Sequence, residues 1–156
     1  MELIIGDHIV IVDDEDFGFL SSWKWHIHIS GGNKYVRGYP TGNRKAGLTY
    51  MHRILTGATR GKDVDHANGC GLDNRKANLR ICTRTQNNAN RHFVQTNTSK
   101  YKGVHFESIT QKWRAEVTFN GVRFRLGRFN TQEEAAEAYR TKSEELFGKF
   151  QYSAKK

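Results

Sequence analysis

The chain has 156 residues, 37% of them hydrophobic and 12% aromatic, and it carries a formal net charge of +9. This length suits one domain or two small ones, and the aromatic content argues against a disordered chain. Two cysteines, Cys70 and Cys82, exclude a disulfide framework and a zinc site built on four such ligands. No run approaches about 18 apolar residues and no secretory signal is recognisable, so we expect an intracellular, cytoplasmic protein that has no membrane partner.

The charge is unevenly distributed along the chain. Residues 1–22 contain six acidic residues and no lysine or arginine, whereas residues 23–156 contain all 25 basic residues and only ten acidic ones. A basic excess of this size is expected of a protein that binds a polyanion, most simply a nucleic acid. An ordinary solvated basic surface is the alternative.

The first 57 residues predict a small antiparallel sheet followed by a short helix. Apolar and polar residues alternate in LIIGDHIVIVD, KYVRGY and GLTYM, with glycine and asparagine between them. Trp23 and Trp25 are two residues apart, so they share one face and are expected to pack in the core of the sheet. HRILTG predicts one or two helical turns that end at Gly57.

Residues 63–88, DVDHANGCGLDNRKANLRICTRTQNN, contain many short polar side chains and too few apolar ones to form a core. Asp65 offers a carboxylate to a hard metal ion, and the imidazole of His66 can accept a proton near neutral pH. Asn87 can offer a second oxygen to the same ion. Because neighbouring strand residues point to opposite faces, a shared site for Asp65 and His66 requires a distorted hairpin. RTQNNANRHF, which follows, predicts a helix with Thr83 or Thr85 as its cap.

This segment resembles the HNH nucleases with their ββα-metal motif, in the subgroup common among homing endonucleases of phages and introns. The matching residues are VDH at 64–66, DN at 73–74, NLR at 78–80 and QNN at 86–88, with MHR at 51–53 upstream. After His66 the chain reads ANGCG, where the family commonly has an apolar and then an acidic residue.

The resemblance implies a role for each matching residue. His66 would be the general base, and Asp65 and Asn87 would ligate one divalent ion, Mg²⁺ or Mn²⁺. Asn78 would hold the loop and orient His66. Asn87 replaces the last histidine of the motif, and the resulting oxygen-rich site favours a hard ion over zinc. Four further residues would contact phosphate or brace the loop: Asn74, Arg75, Arg80 and Arg84.

Structural interpretations of the same residues stay open at this point. Asp73 and Asn78 can cap turns through the neighbouring backbone, which for Asn78 is compatible with a catalytic role. His52 precedes a short helix and is interpreted as a packed or hydrogen-bonded histidine rather than a ligand.

Residues 100–153 predict a second unit beyond a polar linker at residues 95–99. YKGVHF, KWRAEVTF and VRFRLGRF alternate like three strands, the last two joined by the turn Asn120-Gly121. TQEEAAEAYRTKSEELFG predicts one amphipathic helix that begins at Thr131, with Glu134 completing a capping box, and ends at Gly148. Alternation places Ala115, Val117, Phe119, Val122, Phe124 and Leu126 against this helix. It places Arg114, Glu116, Thr118, Arg123 and Arg125 on the opposite face.

This unit resembles the Apetala-type, or ethylene-response-factor, DNA-binding domain. SKYKGVHF, KWRAEV, RFRLGRF and EEAAEAYR match its landmarks in order. The DNA contacts that the resemblance implies are Lys102, Gly103, His105, Glu116, Thr118, Arg123 and Arg125. A sheet face that also carries Arg114 can lie in the major groove of DNA, although any small domain has a charged outer face.

These features predict an α+β protein: a small N-terminal antiparallel sheet leading into a ββα-metal HNH unit at residues 1–94, then a three-stranded antiparallel sheet packed on one helix. The expected function is a metal-dependent, homing-type endonuclease that hydrolyses phosphodiester bonds in double-stranded DNA, one strand per site, as a monomer or weak dimer. It would be encoded by a phage or intron and act in the host cell. A non-catalytic DNA-binding regulator and an RNA-binding protein are the alternatives.

Overall fold

The computed structural model describes residues 1–90 and 99–151, and the chain divides into two compact units at Asn87 and Asn88. Four of the five predicted linker residues, 95–98, lie outside the described residues. Both units combine small antiparallel sheets with helices, which confirms the α+β prediction. None of the helices within the described ranges is long and apolar enough to cross a lipid bilayer.

The first unit contains the predicted N-terminal strands and the short helix. β1 (Glu2–Ile5) and β2 (His8–Ile11) form an antiparallel hairpin. β3 (Trp23–Ser30), β4 (Asn33–Pro40) and β5 (Thr49–Tyr50) form an antiparallel sheet in that order, with a 3-10 turn at Arg44–Ala46. α2 (Met51–Thr56) follows directly, and Gly57 ends it in the left-handed conformation, as predicted.

The helix α1 (Asp14–Ser21) was not predicted from the sequence. Three acidic residues occupy its first turn, where the helix dipole favours negative charge, but Gly18 lies in its interior and Leu20 is its one buried residue. The apolar residues of this segment therefore show little helical periodicity. The helix is stabilised by its contact with the sheet rather than by local propensity.

Five fully buried side chains form the core of the first unit: Val10, Val12, Leu20, Val36 and Met51. Trp25 packs against them and donates its indole N–H to the Leu20 carbonyl at 2.8 Å. The rings of Trp23 and Trp25 are stacked with centroids 5.2 Å apart, so the prediction that they share a face is confirmed.

The polar segment forms a strand, a second strand and a helix. β6 (Asp63–His66) pairs with β7 (Leu79–Cys82), which follows a 3-10 turn at Lys76–Asn78, and α3 (Arg84–Asn90) comes next. Thr83 rather than Thr85 caps α3, because the Thr83 hydroxyl accepts from the Gln86 N–H at 3.2 Å and the Gln86 side chain accepts from the Thr83 N–H at 2.9 Å. Residues 91–93 of the predicted helix lie outside the described residues.

The connection between β6 and β7 is fixed to the N-terminal strands. Ile11 donates its N–H to Leu72 at 2.9 Å and accepts from the Asn74 N–H at 2.7 Å. Gly71 lies so close to β4 that an added Cβ would be 2.3 Å from the Lys34 carbonyl oxygen, which leaves no room for any side chain. The acidic N-terminal segment contributes as well, since Lys76 forms ion pairs with Glu15 at 2.6 Å and Asp16 at 3.1 Å.

The second unit is a three-stranded antiparallel sheet packed on one helix. β8 (Val104–Glu107), β9 (Lys112–Phe119) and β10 (Val122–Phe129) lie in the order β10-β9-β8, and α4 (Gln132–Phe147) packs on them through Val104, Ala115 and Ala135. The predicted capping box is present, with the Glu134 N–H donating to the Thr131 hydroxyl at 3.2 Å. Asn120 and Gly121 both have positive φ, as a tight two-residue hairpin turn requires.

A register shift between Arg125 and Gly127 interrupts the pairing of β10 with β9. Strict alternation would place Arg128 on the face opposite Arg123 and Arg125. The shift instead pairs Arg128 with Arg114, so Arg128 joins the face that carries the other arginines.

Candidate functional site

The site is built on the ribbon of β6 and β7. Asp65 pairs with Arg80 and His66 with Leu79, and the four consecutive pairs show no register shift. The expected distortion of the hairpin is therefore absent from the strands themselves. Asp65 and His66 are both 5% exposed and leave opposite faces of the ribbon.

The Asp65 face of the ribbon contains several oxygen donors. Asp65 accepts two hydrogen bonds from the Arg80 guanidinium, the one from Nε at 3.0 Å. Asp63, two residues earlier on the same face, accepts from the Asn87 carboxamide at 3.0 Å. Burial, reinforced by both carboxylates, raises the pKa of Cys82 to about 11, so this thiol is not an ionised ligand.

The donor set of this face fits a hard divalent ion. Carboxylate and carboxamide oxygens are the ligands that Mg²⁺ and Mn²⁺ prefer. Across residues 1–90 and 99–151, no group of three or more His, Cys, Asp or Glu is arranged to hold a metal. An ion held by Asp65 would therefore draw on the amide oxygen of Asn87 and on water or substrate oxygens, and it would share Asp65 with Arg80.

His66 lies among aromatic rings on the other face of the ribbon. Its imidazole centroid is 5.2 Å from that of His52, edge to face, and 6.0 Å from that of Tyr35. Burial lowers the pKa of His66, while a hydrogen bond with the Asn74 side chain and the carboxylates of Asp65 and Asp73 oppose this shift. The net effect favours the neutral imidazole, which is the form that accepts a proton.

His52 is a buried histidine of α2. Its ring is stacked on that of Tyr50 with centroids 5.2 Å apart, and within the described part of the chain its Nδ1 has no hydrogen-bond partner. These contacts agree with its interpretation as a packed histidine. Burial, followed by the charges of His66 and Arg53, lowers the pKa of His52 from its ordinary value of 6.5 to about 3.

We predict that replacing His52 with glutamine reduces the acid sensitivity of the fold. Because the pKa of His52 is lower in the folded chain, the unfolded chain binds the proton more readily as pH falls below 6.5, and stability is lost until about pH 3. At pH 5 this loss is about 2 kcal/mol. The free energy of unfolding, measured by urea at pH 7.5 and pH 5, should change less in His52→Gln than in the wild type. Identical changes would contradict the prediction.

Asn78 holds both ends of the connection that follows His66. Its side-chain oxygen accepts from the Asn68 N–H at 2.9 Å, and its amide donates to the Asp73 carbonyl at 2.7 Å. Its own carbonyl accepts from the Ala67 N–H at 2.8 Å. These three hydrogen bonds hold the loop, which is one part of the role that was expected of Asn78.

The ANGCG segment supplies its own bracing through Asn68. The Asn68 amide donates to Asp73 at 2.8 Å, and its side-chain oxygen accepts from the Cys70 N–H at 2.8 Å. Asn74, 1% exposed, is the asparagine that lies beside His66. Its burial and its hydrogen bond with His66 are those of a loop-bracing residue.

Three arginines of the segment each pair with an aspartate. Arg75 pairs with Asp73 at 2.7 Å and lowers its pKa, Arg80 pairs with Asp65, and Arg84 pairs with Asp63 at 3.2 Å. These pairs give all three arginines a bracing role in the structure.

The second unit collects the remaining predicted residues on the sheet face opposite α4. Strand pairing places His105 beside Arg114, Glu116 beside Arg125, and Thr118 beside Arg123. The register shift adds Arg128, which sequence alternation missed and which forms an ion pair with Glu107 at 2.5 Å. Gly127, a glycine inside the strand and directly before Arg128, is the signal that could have indicated the bulge.

Lys102 and Gly103 have structural partners. The Lys102 ammonium donates to the Ala89 carbonyl at 2.6 Å. At Gly103, where φ is +71°, an added Cβ would be 2.2 Å from the Tyr139 ring, so only glycine fits. Gly103 therefore helps to shape the domain whether or not it contacts DNA.

Comparison with known proteins gives two kinds of match. Residues 99–148 match the AP2 domain model. An uncharacterised HNH endonuclease of Acanthamoeba polyphaga mimivirus is 35% identical over 142 residues, which cover 86% of this chain and 72% of that protein. Protein 3.8 of Escherichia phage T7 is 32% identical over 91 residues, which cover 58% of this chain and 74% of that protein. No solved structure matches the chain.

The mimivirus match covers 86% of the chain, which is more than either of its two units contains. This chain belongs to the HNH endonuclease family and carries a C-terminal AP2 domain.

Proposed function

We propose that the chain is a metal-dependent DNA endonuclease of the homing type, in which the ββα unit cuts the phosphodiester and the AP2 domain binds the duplex. The observation that carries this proposal is that the buried side chains of Asp65 and His66 are neighbours at the end of β6, close enough for the Asp65 carboxylate to act on the charge of the imidazole, and that the Asn87 carboxamide is hydrogen-bonded to Asp63 on the Asp65 side of the ribbon. Family membership supports the same activity.

The residues of the chain divide the chemistry between them. His66 takes the proton from the attacking water, and Asn74 and Asn78 hold the imidazole and the loop beside it. Asp65 and Asn87 would hold Mg²⁺ or Mn²⁺, which when bound neutralises negative charge on the phosphoryl oxygens and on the leaving 3′ oxygen. Arg80 keeps the Asp65 carboxylate oriented and offsets its charge.

One such site per chain cuts one strand. We infer that a monomer nicks DNA and that a double-strand break needs a weak dimer or two successive events. The relatives come from a virus and a phage, which supports an enzyme that acts on DNA in an infected host cell.

Cleavage of supercoiled plasmid tests the proposal and the metal ligands. The wild type should produce nicked circles in Mg²⁺ or Mn²⁺ and none in excess EDTA. Asp65→Ala and Asn87→Ala should each raise the Mg²⁺ concentration for half-maximal cleavage by at least about tenfold, because each removes one oxygen ligand. Asp7→Ala, an exposed carboxylate in the β1–β2 turn, is the matched control and should behave as the wild type. Cleavage undiminished by EDTA would exclude a metal-dependent reaction.

A non-catalytic DNA-binding protein is the second candidate, and one observation favours it. The Arg80 guanidinium occupies the Asp65 carboxylate through two hydrogen bonds, and it would compete with a cation. This candidate predicts no cleavage with any divalent ion while duplex binding is retained.

A further inference from the structure

The sheet β3–β4–β5 has one face that the core does not use. Strand pairing places Lys24 opposite Tyr39, His26 opposite Arg37, and His28 opposite Tyr35. We call these six residues the polar face. The other face of the same strands carries Trp25, Ile27 and Val36, which pack in the hydrophobic core.

The polar face lies in a segment of purely positive charge. Residues 17–62 contain eight lysine and arginine residues and no aspartate or glutamate. Within residues 1–90 and 99–151, none of the ion pairs involves Lys24, Arg37 or the neighbouring Arg44, whose guanidinium lies 5.8 Å from the centre of the Tyr39 ring. The three arginines near the ribbon, Arg75, Arg80 and Arg84, each pair with an aspartate. The cations of the polar face differ from them in having no such carboxylate partner among the described residues.

The polar face is continuous with the candidate base. The Tyr35 ring is 6.0 Å from that of His66 and 6.1 Å from that of His52, and His28 is 5.8 Å from Tyr50, which in turn stacks on His52. The loop that follows β6 also packs on β4, because Gly71 lies against the Tyr35 ring. A strand of nucleic acid bound along this face would therefore reach His66, the residue that would accept the proton.

Lysine, arginine, tyrosine and histidine side chains carry N–H or O–H donors, which bind phosphate oxygens along a nucleic-acid backbone. From Lys24 to His28 a strand advances roughly 13 Å, which corresponds to the rise of about four base pairs along the axis of duplex DNA. We propose that the polar face binds the backbone of the DNA strand that leads to the scissile phosphodiester. This inference rests on the proposed function, and it assigns to the first unit a DNA contact of its own.

Duplex binding by the full chain in a His66→Ala background tests the polar face without cleavage. The double variant Lys24→Gln/Arg37→Gln is compared with Lys34→Gln/Arg60→Gln, which removes the same charge from the same segment but leaves the polar face intact; Lys34 pairs with Ile29 on the opposite face. The affinity for a 30-base-pair duplex is measured at several salt concentrations. Thermal unfolding of both doubles verifies that each is folded.

The polar-face double should lower the slope of log affinity against log salt by about 2, because each lost phosphate contact lowers it by about 0.9. It should also weaken binding at least tenfold more than the control double does. Equal slopes for the two doubles would overturn the inference, and so would a preference of the polar face for an acidic protein with duplex binding unchanged. Plasmid cleavage by the wild type is measured separately. Cleavage with equal slopes would contradict the polar-face contact alone, whereas a lower slope without cleavage would contradict the proposed nuclease activity alone.

Discussion

Replacing His66 with alanine should lower the rate of plasmid cleavage by a factor of about 10²–10⁴, the usual contribution of a general base. His66 is 5% exposed on the β6–β7 ribbon, and burial favours its neutral form near neutral pH. His52, whose ring touches that of His66, is the poorer base of the two in the proposed mechanism, because its pKa is lowered to about 3. Initial nicking rates at saturating Mg²⁺ measure the effect.

Two further variants make this result specific. His66→Gln retains a polar side chain of similar reach but cannot accept the proton, so it should lose as much activity as His66→Ala while perturbing the packing less. His8→Ala removes a half-buried histidine of β2 and should cleave at the wild-type rate. If His66→Gln is folded and nicks plasmid as fast as the wild type, His66 is not the base.

Much of the ββα unit follows from local sequence. The strand β6, the helix α3 with its Thr83 cap and the polar residues between them lie where pattern and spacing place them. The contacts that depend on tertiary packing could not be predicted from local sequence. The hydrogen bond of Asn74 with His66 was not predicted, since the connection that carries Asn74 is held to Ile11 by two backbone hydrogen bonds that no local pattern encodes.

The second unit shows the same division. Alternation predicted its strands, and the spacing of Thr131 and Glu134 predicted the capping box of α4, since both signals depend on residues that are close in sequence. It failed at Arg128, because one bulge reverses the side on which every later residue of the strand lies. The helix α1 was missed for a related reason, as its single buried residue gives no period to detect.

Replacing Asn78 with alanine should lower the free energy of unfolding of the first unit by about 2–6 kcal/mol. The side chain, 8% exposed, satisfies the Asn68 N–H and the Asp73 carbonyl, and alanine leaves both backbone groups without this partner in a buried place. Each unsatisfied group costs about 1–3 kcal/mol. Asn88→Ala, an exposed asparagine of α3, is the control and should change stability by less than about 0.5 kcal/mol. Urea unfolding in a Trp113→Phe background isolates the signal of Trp23 and Trp25.

Cleavage by folded Asn78 variants then separates a positioning role from a stabilising one. Asn78→Asp keeps the oxygen that accepts from the Asn68 N–H but loses the donor to the Asp73 carbonyl, so it should retain more activity than Asn78→Ala. Assays at a temperature where every variant is more than nine-tenths folded remove the effect of stability. There the Asn68 N–H, two residues after His66, lacks its side-chain acceptor in Asn78→Ala, so kcat should fall in this variant while DNA affinity does not. A folded Asn78→Ala that cleaves as fast as the wild type would restrict Asn78 to stabilising the loop.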